Sequence, residues 1–305
     1  VCDFGPTEKN MSALISVILP TFNGEKYLAE SIDSIIAQSY QKWELIIVND
    51  CSSDSTMNIA NQYSVRDKRI TVVKNELNLK LPASLNRGFS LSNGEYLTWT
   101  SDDNRYKPTA FERMITILEN NHDIGFVYAD MTVINPDGIP SESAPQPEPD
   151  HMPFSNPVGA CFMYKRYIYE TIGDHDDKLF CAEDYDYWFR IYLKHKMVHI
   201  HENLYEYRVH SNTLTSLMNH LTEKSCFNVI KKYLEITPGI DKNIRARVVA
   251  RKLRIYILRR YWALAIRTAL YGLRVGGTTF LASASLIVYR IWVDIFKKYI
   301  LANPS

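Results

Sequence analysis

Leu14-Ile15-Ser16-Val17-Ile18-Leu19-Pro20 is a short apolar run closed by proline, and after it the period changes: Leu28, Ile32, Ile35 and Ile36 recur on one helical face before Gln38. Such a run followed by helical spacing reads as strand, then helix. The alternation repeats downstream. Glu44 to Val48 reads as a strand, Asp54 to Tyr63 as a helix, Ile70 to Val73 as a strand, Pro82 to Leu91 as a helix and Tyr96 to Thr100 as a fourth strand. Strands joined through single helices pair in parallel by right-handed crossovers and are covered on both faces. The spacing predicts an α/β fold on a parallel sheet buried on both faces.

Beyond a helix at Phe111 to Leu118 the pattern loosens. Gly125 to Asp130 and Met131 to Ile134 read as strands and Asn135-Pro136-Asp137-Gly138 as a turn, while Ser141 to Pro153, rich in proline and acid, reads as a mobile loop. Val158 to Tyr164 returns to strand character, Glu183 to Lys194 is helical, Met197 to His201 and Leu204 to Val209 are strands, and the chain from Leu214 onward reads as helix. There is no internal repeat. No Gly-x-Gly-x-x-Gly or P-loop occurs, which removes the main support for dinucleotide-binding and NTPase classes.

The 305 residues, 46% of them hydrophobic, can build a large packed core. Five scattered cysteines lack zinc-site spacing and are odd in number, so the sequence favours a reduced, cytoplasmic setting over a disulfide framework. Residues 1–13 are read as a lead segment without signal-peptide order, with Met11 a candidate natural start. The net charge of +1 conceals an asymmetry: from Lys242 to Ser305 there are thirteen Lys or Arg and one acidic residue, leaving +12 there and −11 on the rest.

Two acidic pairs stand out. Asp102-Asp103 follows the Tyr96 to Thr100 strand and precedes Pro108, which puts it in the loop at a strand's carboxyl end, where open α/β sheets bind ligands. Glu183-Asp184 opens an amphipathic helix, a position that tolerates negative charge. Together they suggest a metal site and a base. His151, His175, His195, His199 and His201 show no ligand spacing and read as structural or surface residues.

Ser16-Val17-Ile18-Leu19-Pro20-Thr21-Phe22-Asn23, Ile35-Ile36-Ala37-Gln38-Ser39-Tyr40 and Ile46-Ile47-Val48-Asn49-Asp50-Cys51-Ser52-Ser53-Asp54, in this order ahead of the acidic pairs, resemble a family 2 glycosyltransferase over roughly Ile15 to Thr215, which implies the α/β GT-A (Rossmann-like) fold, a mixed, mostly parallel sheet flanked by helices. The resemblance implies that Pro20, Thr21, Phe22, Asn23 and Glu25 line the nucleotide pocket and that Asp50 accepts a hydrogen bond from the base; Ser52 and Asp54 read rather as caps of the next helix. It makes Asp103 a ligand for Mn²⁺ or Mg²⁺, puts Asp102 nearer the ribose, and gives the role of catalytic base to Asp184 beside Glu183. In Tyr207-Arg208-Val209-His210-Ser211-Asn212 it implies that His210 completes the metal shell and that Arg208 faces phosphate; a loop histidine and a surface arginine are the plainer readings. The chain departs from the family at Thr100, where many members have Asp. It departs again over Asn78 to Asn86, where a glycine near Lys80 and an arginine near Leu85 are usual; Lys80 or Arg87 would substitute, and Asn86 is counted with the donor pocket. Tyr185, Tyr187 and Trp188 read as core rather than as a platform for an acceptor sugar.

The chain thus divides into a lead, a GT-A domain over residues 14–213 and a basic helical region over 214–305. In that last region Arg245, Arg247, Arg251, Lys252, Arg254, Arg259 and Arg260 interleave with apolar residues, and uncharged Val275 to Tyr289 is shorter than the ~20 residues that span a bilayer. Interfacial attachment to an anionic membrane is expected, with docking on the acidic body or a second subunit as the alternative and no nucleic-acid module in evidence. The expected activity is transfer of a sugar from a nucleotide sugar, UDP-linked, to a glycan or lipid-linked saccharide on the inner face of the cell membrane; a homo-oligomer is compatible with it. A catalytically silent nucleotide- or sugar-binding subunit is the alternative. A sugar-phosphate nucleotidyltransferase lacks its glycine-rich basic loop here.

Overall fold

The computed structural model describes residues 13–211, 213, 218–237 and 240–302, with side chains described for these except 219–220 and 286–302. The lead with Met11, Asn212 and the expected helix start at Leu214 lie outside the described residues. Contacts divide the chain into two units, one reaching to Pro149 and resuming over Asn156–Asn219, the other made of Asp150–Ser155 and the chain from His220 onward.

In the first unit, the expected alternation is present. β1 (Ile15–Thr21), α1 (Leu28–Ile36), β2 (Trp43–Asn49), α2 (Thr56–Arg66), β3 (Ile70–Lys74), α3 (Lys80–Ser90) and β4 (Tyr96–Trp99) follow one another, each close to its predicted span. Then come β5 (Arg105–Tyr106), α4 (Ala110–Asn120), β6 (Ile124–Ile134), β7 (Pro140–Ala144), β8 (Phe162–Lys165), α5 (Arg166–Ile172), α6 (Glu183–Tyr192) and β9 (Lys196–Arg208). The described residues form one sheet in the order β3-β2-β1-β4-β8-β6-β9-β5, with β7 on β6. β1 runs parallel to both β2 and β4, and β2 to β3, whereas β8 is antiparallel to β4 and β6. β6 and β9 are parallel again.

Every residue of β1 is buried, as a continuous apolar run between two helical layers requires. One face of the sheet gathers Val17, Leu19, Leu45 and Ile47 against Leu28, Ile32, Phe111 and Ile115. The apolar positions of α1 and α4 recur at helical spacing for this reason.

The structure corrects several expectations. The supposed mobile loop begins as strand β7, paired along β6 from Met131↔Ala144 to Ile134↔Pro140, although its side chains are mostly exposed and polar. The strand pairs expected over 125–134 and 197–209 are single strands, β6 and β9, whose mutual register shifts around Asp130. The breaks in hydrophobic pattern were these irregularities. β5, two residues long, and α5 had no periodic signal.

In the second unit, α7 (Asn219–Ile236), α8 (Lys242–Leu258) and α9 (Trp262–Ala302) make the helical region, with a non-helical residue at Gly277 (φ 51°) inside α9. Asp241 caps α8 by accepting from the Ile244 N–H at 2.7 Å, and the Arg259 guanidinium bridges to Glu223 at 2.6 Å. Among the described residues, no helix is long and apolar enough to cross a membrane.

Gly94 precedes β4 against β1 so closely that a Cβ there would lie 2.6 Å from Ser16 N and 2.7 Å from Leu14 O, both backbone atoms. Gly94→Ala is expected to destabilise this unit by about 1–3 kcal/mol, read as a lower urea midpoint at unchanged slope.

Candidate active site

The order β3-β2-β1-β4 reverses the direction of chain progress at β1, so the connections leaving β1 and β4 diverge and open a crevice at their carboxyl ends. Thr21 ends β1, and Asp50 and Asp102-Asp103 follow the ends of β2 and β4, so that all share that edge. β8 enters from the same edge because it is antiparallel to β4, bringing the preceding Asn156 to Cys161 segment there; β9 leaves by it and delivers Arg208 and His210. Topology alone thus brings together residues that lie far apart in sequence.

The first turn is knitted to the second. Asn23 has φ 54°, its N–H donates to Ser52 Oγ at 2.9 Å, and its Oδ1 accepts from the Ser53 N–H at 2.9 Å. The Gly24 N–H donates to Thr56 Oγ1 at 2.8 Å, and Glu25 Oε2 accepts from the Ser55 N–H at 2.9 Å. Pro20 and Thr21 are buried and Phe22 is exposed at the rim.

Asp50 is buried, and its carboxylate accepts from Asn75 Nδ2 (2.7 Å), the Leu79 N–H (2.8 Å) and the Lys80 N–H (2.9 Å). Lys80 has φ 71°, a left-handed conformation that glycine adopts without strain. The family's usual glycine near this position answers to that backbone shape, which Asp50 enforces here on a lysine. The Lys80 side chain is exposed, whereas Asn86 is closed in a reciprocal pair with the backbone of His175, at 2.9 and 2.8 Å. Arg87, although exposed, donates to Lys74 O and Asn75 Oδ1. Asn86 and Arg87 therefore brace the walls instead of facing the crevice.

Asp102 Oδ2 accepts from Thr21 Oγ1 at 2.5 Å and lies where a Cβ on Gly24 would sit. Burial, and then the charge of Asp103 beside it, raise its carboxyl to about 7. Burial also pushes Asp103 up, opposed by a hydrogen bond from His210. His210 Nε2 is 3.1 Å from Asp103 Oδ2, while Asp103 Oδ1 is buried without a hydrogen-bond partner. A bare buried carboxylate oxygen beside an imidazole fits a divalent cation, whose charge would return both aspartates to the ionised form. The Asp usual at Thr100 is replaced by a hydroxyl bonded to the Tyr205 OH at 2.6 Å.

Arg208 differs from its expected role. Its side chain is fully buried, with Nε donating to Asp103 O (2.8 Å), Nη1 to Pro136 O (2.9 Å) and Nη2 to Glu30 Oε2 (2.6 Å), over the Tyr27 ring at 4.4 Å. The guanidinium is enclosed and bonded on three sides, and its bond to Asp103 O braces the backbone that carries Asp103. Asp184 is half-buried and accepts from Asn156 Nδ2 at 2.9 Å and from the Tyr185 N–H at 2.7 Å. Burial raises Asp184, and burial followed by the charge of Asp184 raises the enclosed Glu183 to about 8. Tyr185, Tyr187 and Trp188 are buried in an aromatic core with Phe126, Phe162 and Tyr164.

The glycosyl transferase family 2 profile matches residues 16–173. The chain belongs to that family. A glycosyltransferase of Rickettsia typhi is 32% identical over 71% of this chain and 70% of its own length. TuaG of Bacillus subtilis, named for teichuronic acid biosynthesis, is 26% identical over 72% of this chain and 88% of its own. The crystal structure of S. aureus TarS 1-349 in complex with UDP superposes with a TM-score of 0.57 at 18% identity, covering 90% of this chain and 91% of that one. This family 2 glycosyltransferase therefore has a GT-A-like fold with C-terminal helices.

Sequence reasoning missed Tyr27, Glu30, Asn75 and Asn156. Tyr27 and Glu30 are three apart and share a face of the α1 turn, but nothing local says that this face meets the end of β9. Asn75 and Asn156 sit in loops and carry no periodic signal.

The Glu183 carboxyl should retain its proton in the folded transferase to about pH 8, while in the unfolded chain it ionises near its ordinary 4.5. The stability gained by holding that proton is complete below the lower value and lost as pH rises through the higher. Thermal scans across this interval should show wild type losing stability relative to Glu183→Gln; a pH-independent difference would remove the buried-acid assignment.

Proposed function

We propose that this glycosyltransferase is a metal-dependent, inverting enzyme that moves a hexose-type sugar from a UDP-sugar to a saccharide or lipid-linked acceptor during surface-polysaccharide assembly. The observation carrying this reading is the shared sheet edge of two carboxylate sites: Asp103 beside His210, and Asp184 held by Asn156. The UDP assignment is supported by TarS, a structure with UDP bound, and the polysaccharide role by the name of TuaG.

Asp50 supports a uracil base by its lone pairs. An ionised carboxylate offers about four acceptor sites, and three donors already occupy Asp50, which leaves room for the imide N–H. Phe22 and Lys80, both exposed, are the side chains assigned to base and phosphate, with Asn23 and Glu25 holding the turn after β1 against residues 52–55.

In the transfer step the acceptor hydroxyl oxygen bonds to the anomeric carbon as the bond from that carbon to the diphosphate oxygen breaks, and the hydroxyl proton passes to Asp184. A single displacement inverts the anomeric centre. Asn156 and the Tyr185 N–H aim the Asp184 carboxylate, and burial raises its affinity for the incoming proton. A divalent cation, Mn²⁺ or Mg²⁺, bound by Asp103 and His210 would stabilise charge on the leaving diphosphate. Arg208 keeps the Asp103 backbone in place for that task.

A peripheral membrane role is supported by Trp262, Ile266, Leu270 and Leu273, exposed at helical spacing along α9 with Arg267 and Arg274 beside them. An exposed apolar stripe bordered by arginine suits an anionic lipid surface on the cytoplasmic side.

Asp184→Asn is expected to lower transfer by about 10²–10⁴-fold while leaving calorimetric UDP binding unchanged, and Asp103→Ala to abolish the Mn²⁺ dependence of that binding. Retained turnover in the first variant would displace Asp184 as base. Replacing Ile266 and Leu270 by Glu should release the protein from sedimenting phosphatidylserine vesicles without affecting UDP binding; undiminished sedimentation would exclude this stripe.

A further inference from the structure

Away from the donor crevice, β9 places His199 and His201 at alternate positions, where side chains of a strand project to the same side. Asp130 sits at the register shift of β6, where the strand pairs Tyr128 with His199 and Asp130 with Asn203, and one ligand atom from each of Asp130, His199 and His201 lies within 4.8 Å of the others. Their ring centroids and a fourth residue complete the group. The His199 and His201 rings are 4.2 Å apart, and Glu148 Oε1 lies 3.2 Å from His199 Nδ1 and 3.3 Å from His201 Nε2.

Both ring nitrogens of His199 face a carboxylate oxygen. His199 Nε2 is 2.7 Å from Asp130 Oδ1, an oxygen that also accepts from the Gln146 N–H at 2.7 Å. With a ring hydrogen on Nε2, the nitrogen of the shorter contact, Nδ1 either carries a second hydrogen donated to Glu148 or presents a lone pair to a cation. Nδ1 faces the Glu148 carboxylate, an acceptor. Two acceptors at this distance repel each other unless a proton or a cation lies between them.

A cation fits the spacing. Zinc bonds of about 2.0–2.2 Å hold tetrahedral ligand atoms roughly 3.3–3.6 Å apart, close to both distances to Glu148. A carboxylate on the outer nitrogen is the partner that orients and strengthens a metal-binding histidine. We propose that His199 Nδ1, His201 Nε2 and Glu148 Oε1 bind a borderline divalent cation, Zn²⁺, with Asp130 holding the His199 tautomer and water in the fourth position. His201 and Glu148 are solvent-exposed, which supplies both an entry path and that water. Sequence analysis passed over the pair because Glu148 and Asp130 come from other strands and loops.

The cation would fasten the chain leaving β7 to the β6–β9 pair. That stretch is already sutured by the Gln146 N–H on Asp130 and by the Tyr128 hydroxyl, which donates to Pro147 O at 2.6 Å while its ring stacks on His199. The site uses none of the residues assigned to sugar transfer, and its test reads metal directly.

Protein stripped with a chelator and returned to Zn²⁺ should retain one equivalent after dialysis, by elemental analysis, and Co²⁺ in its place should give the intense visible bands of tetrahedral coordination. Asp103→Ala, which removes the other metal position, should retain both properties. His201→Ala and Glu148→Gln, changes at exposed side chains, should weaken Zn²⁺ binding at least about tenfold in chelator competition, and Asp130→Asn about 10–100-fold. Circular dichroism of the metal-free variants checks that they fold. Equal Zn²⁺ affinity in wild type and in folded His201→Ala and Glu148→Gln, or no Zn²⁺ retained by Asp103→Ala, would overturn the proposal.

Discussion

The parallel pairing of β1 with both β2 and β4 is the constraint on which the first unit depends. A strand with neighbours on both edges and helices on both faces has every backbone group committed to the ladder, so its residues must be apolar and its ends must leave the sheet in turns. Because chain progress reverses direction there, the turns after β1 and β4 part and leave a crevice. Thr21, the last residue of β1, spans it to Asp102 at 2.5 Å. The binding edge is thus a consequence of strand order, and the acidic residues occupy space the topology has already opened.

Within that edge, buried charge is handled in two ways. At Asp103 the carboxyl is pushed up by burial and meets an imidazole, with one oxygen left bare. At Glu183 the carboxyl is fully enclosed and rises to about 8, next to Asp184, whose own oxygens are aimed by Asn156 and a backbone N–H. The first arrangement calls for a cation and the second for a proton. The displacement proposed above, with a diphosphate leaving group and a hydroxyl nucleophile, would use both. Arg208 ties the Asp103 backbone, the 135–136 turn and Glu30 into one arrangement.

Legibility in the sequence followed burial pattern. Strands β1 to β4 with their helices could be read because continuous apolar runs alternate with helical spacing, and the acidic pairs could be read because they stand at strand or helix ends. β7 was lost because an edge strand with exposed, polar side chains resembles a loop, and β6 and β9 were split because their register shifts interrupt the apolar pattern. Lys80 shows the limit at a single residue: its departure from glycine looked like a lost contact, whereas its positive φ and the Asp50 carboxylate across from its N–H identify a backbone requirement.

The sequence by itself determined the family, the α/β alternation, the acidic pairs and the basic helical end, since these rest on local periodicity, local charge and motif order. The tertiary structure decided which of the candidate polar residues face the crevice and which brace it. Asn86 and Arg208 became braces, Asn156 and Glu30 gained partners, and His199 and His201 found Asp130 and Glu148. Hydrogen-bond partners far apart along the chain are chosen by strand order and loop closure. A residue's type announces what it can bond to, but only the fold fixes what stands within three ångströms of it.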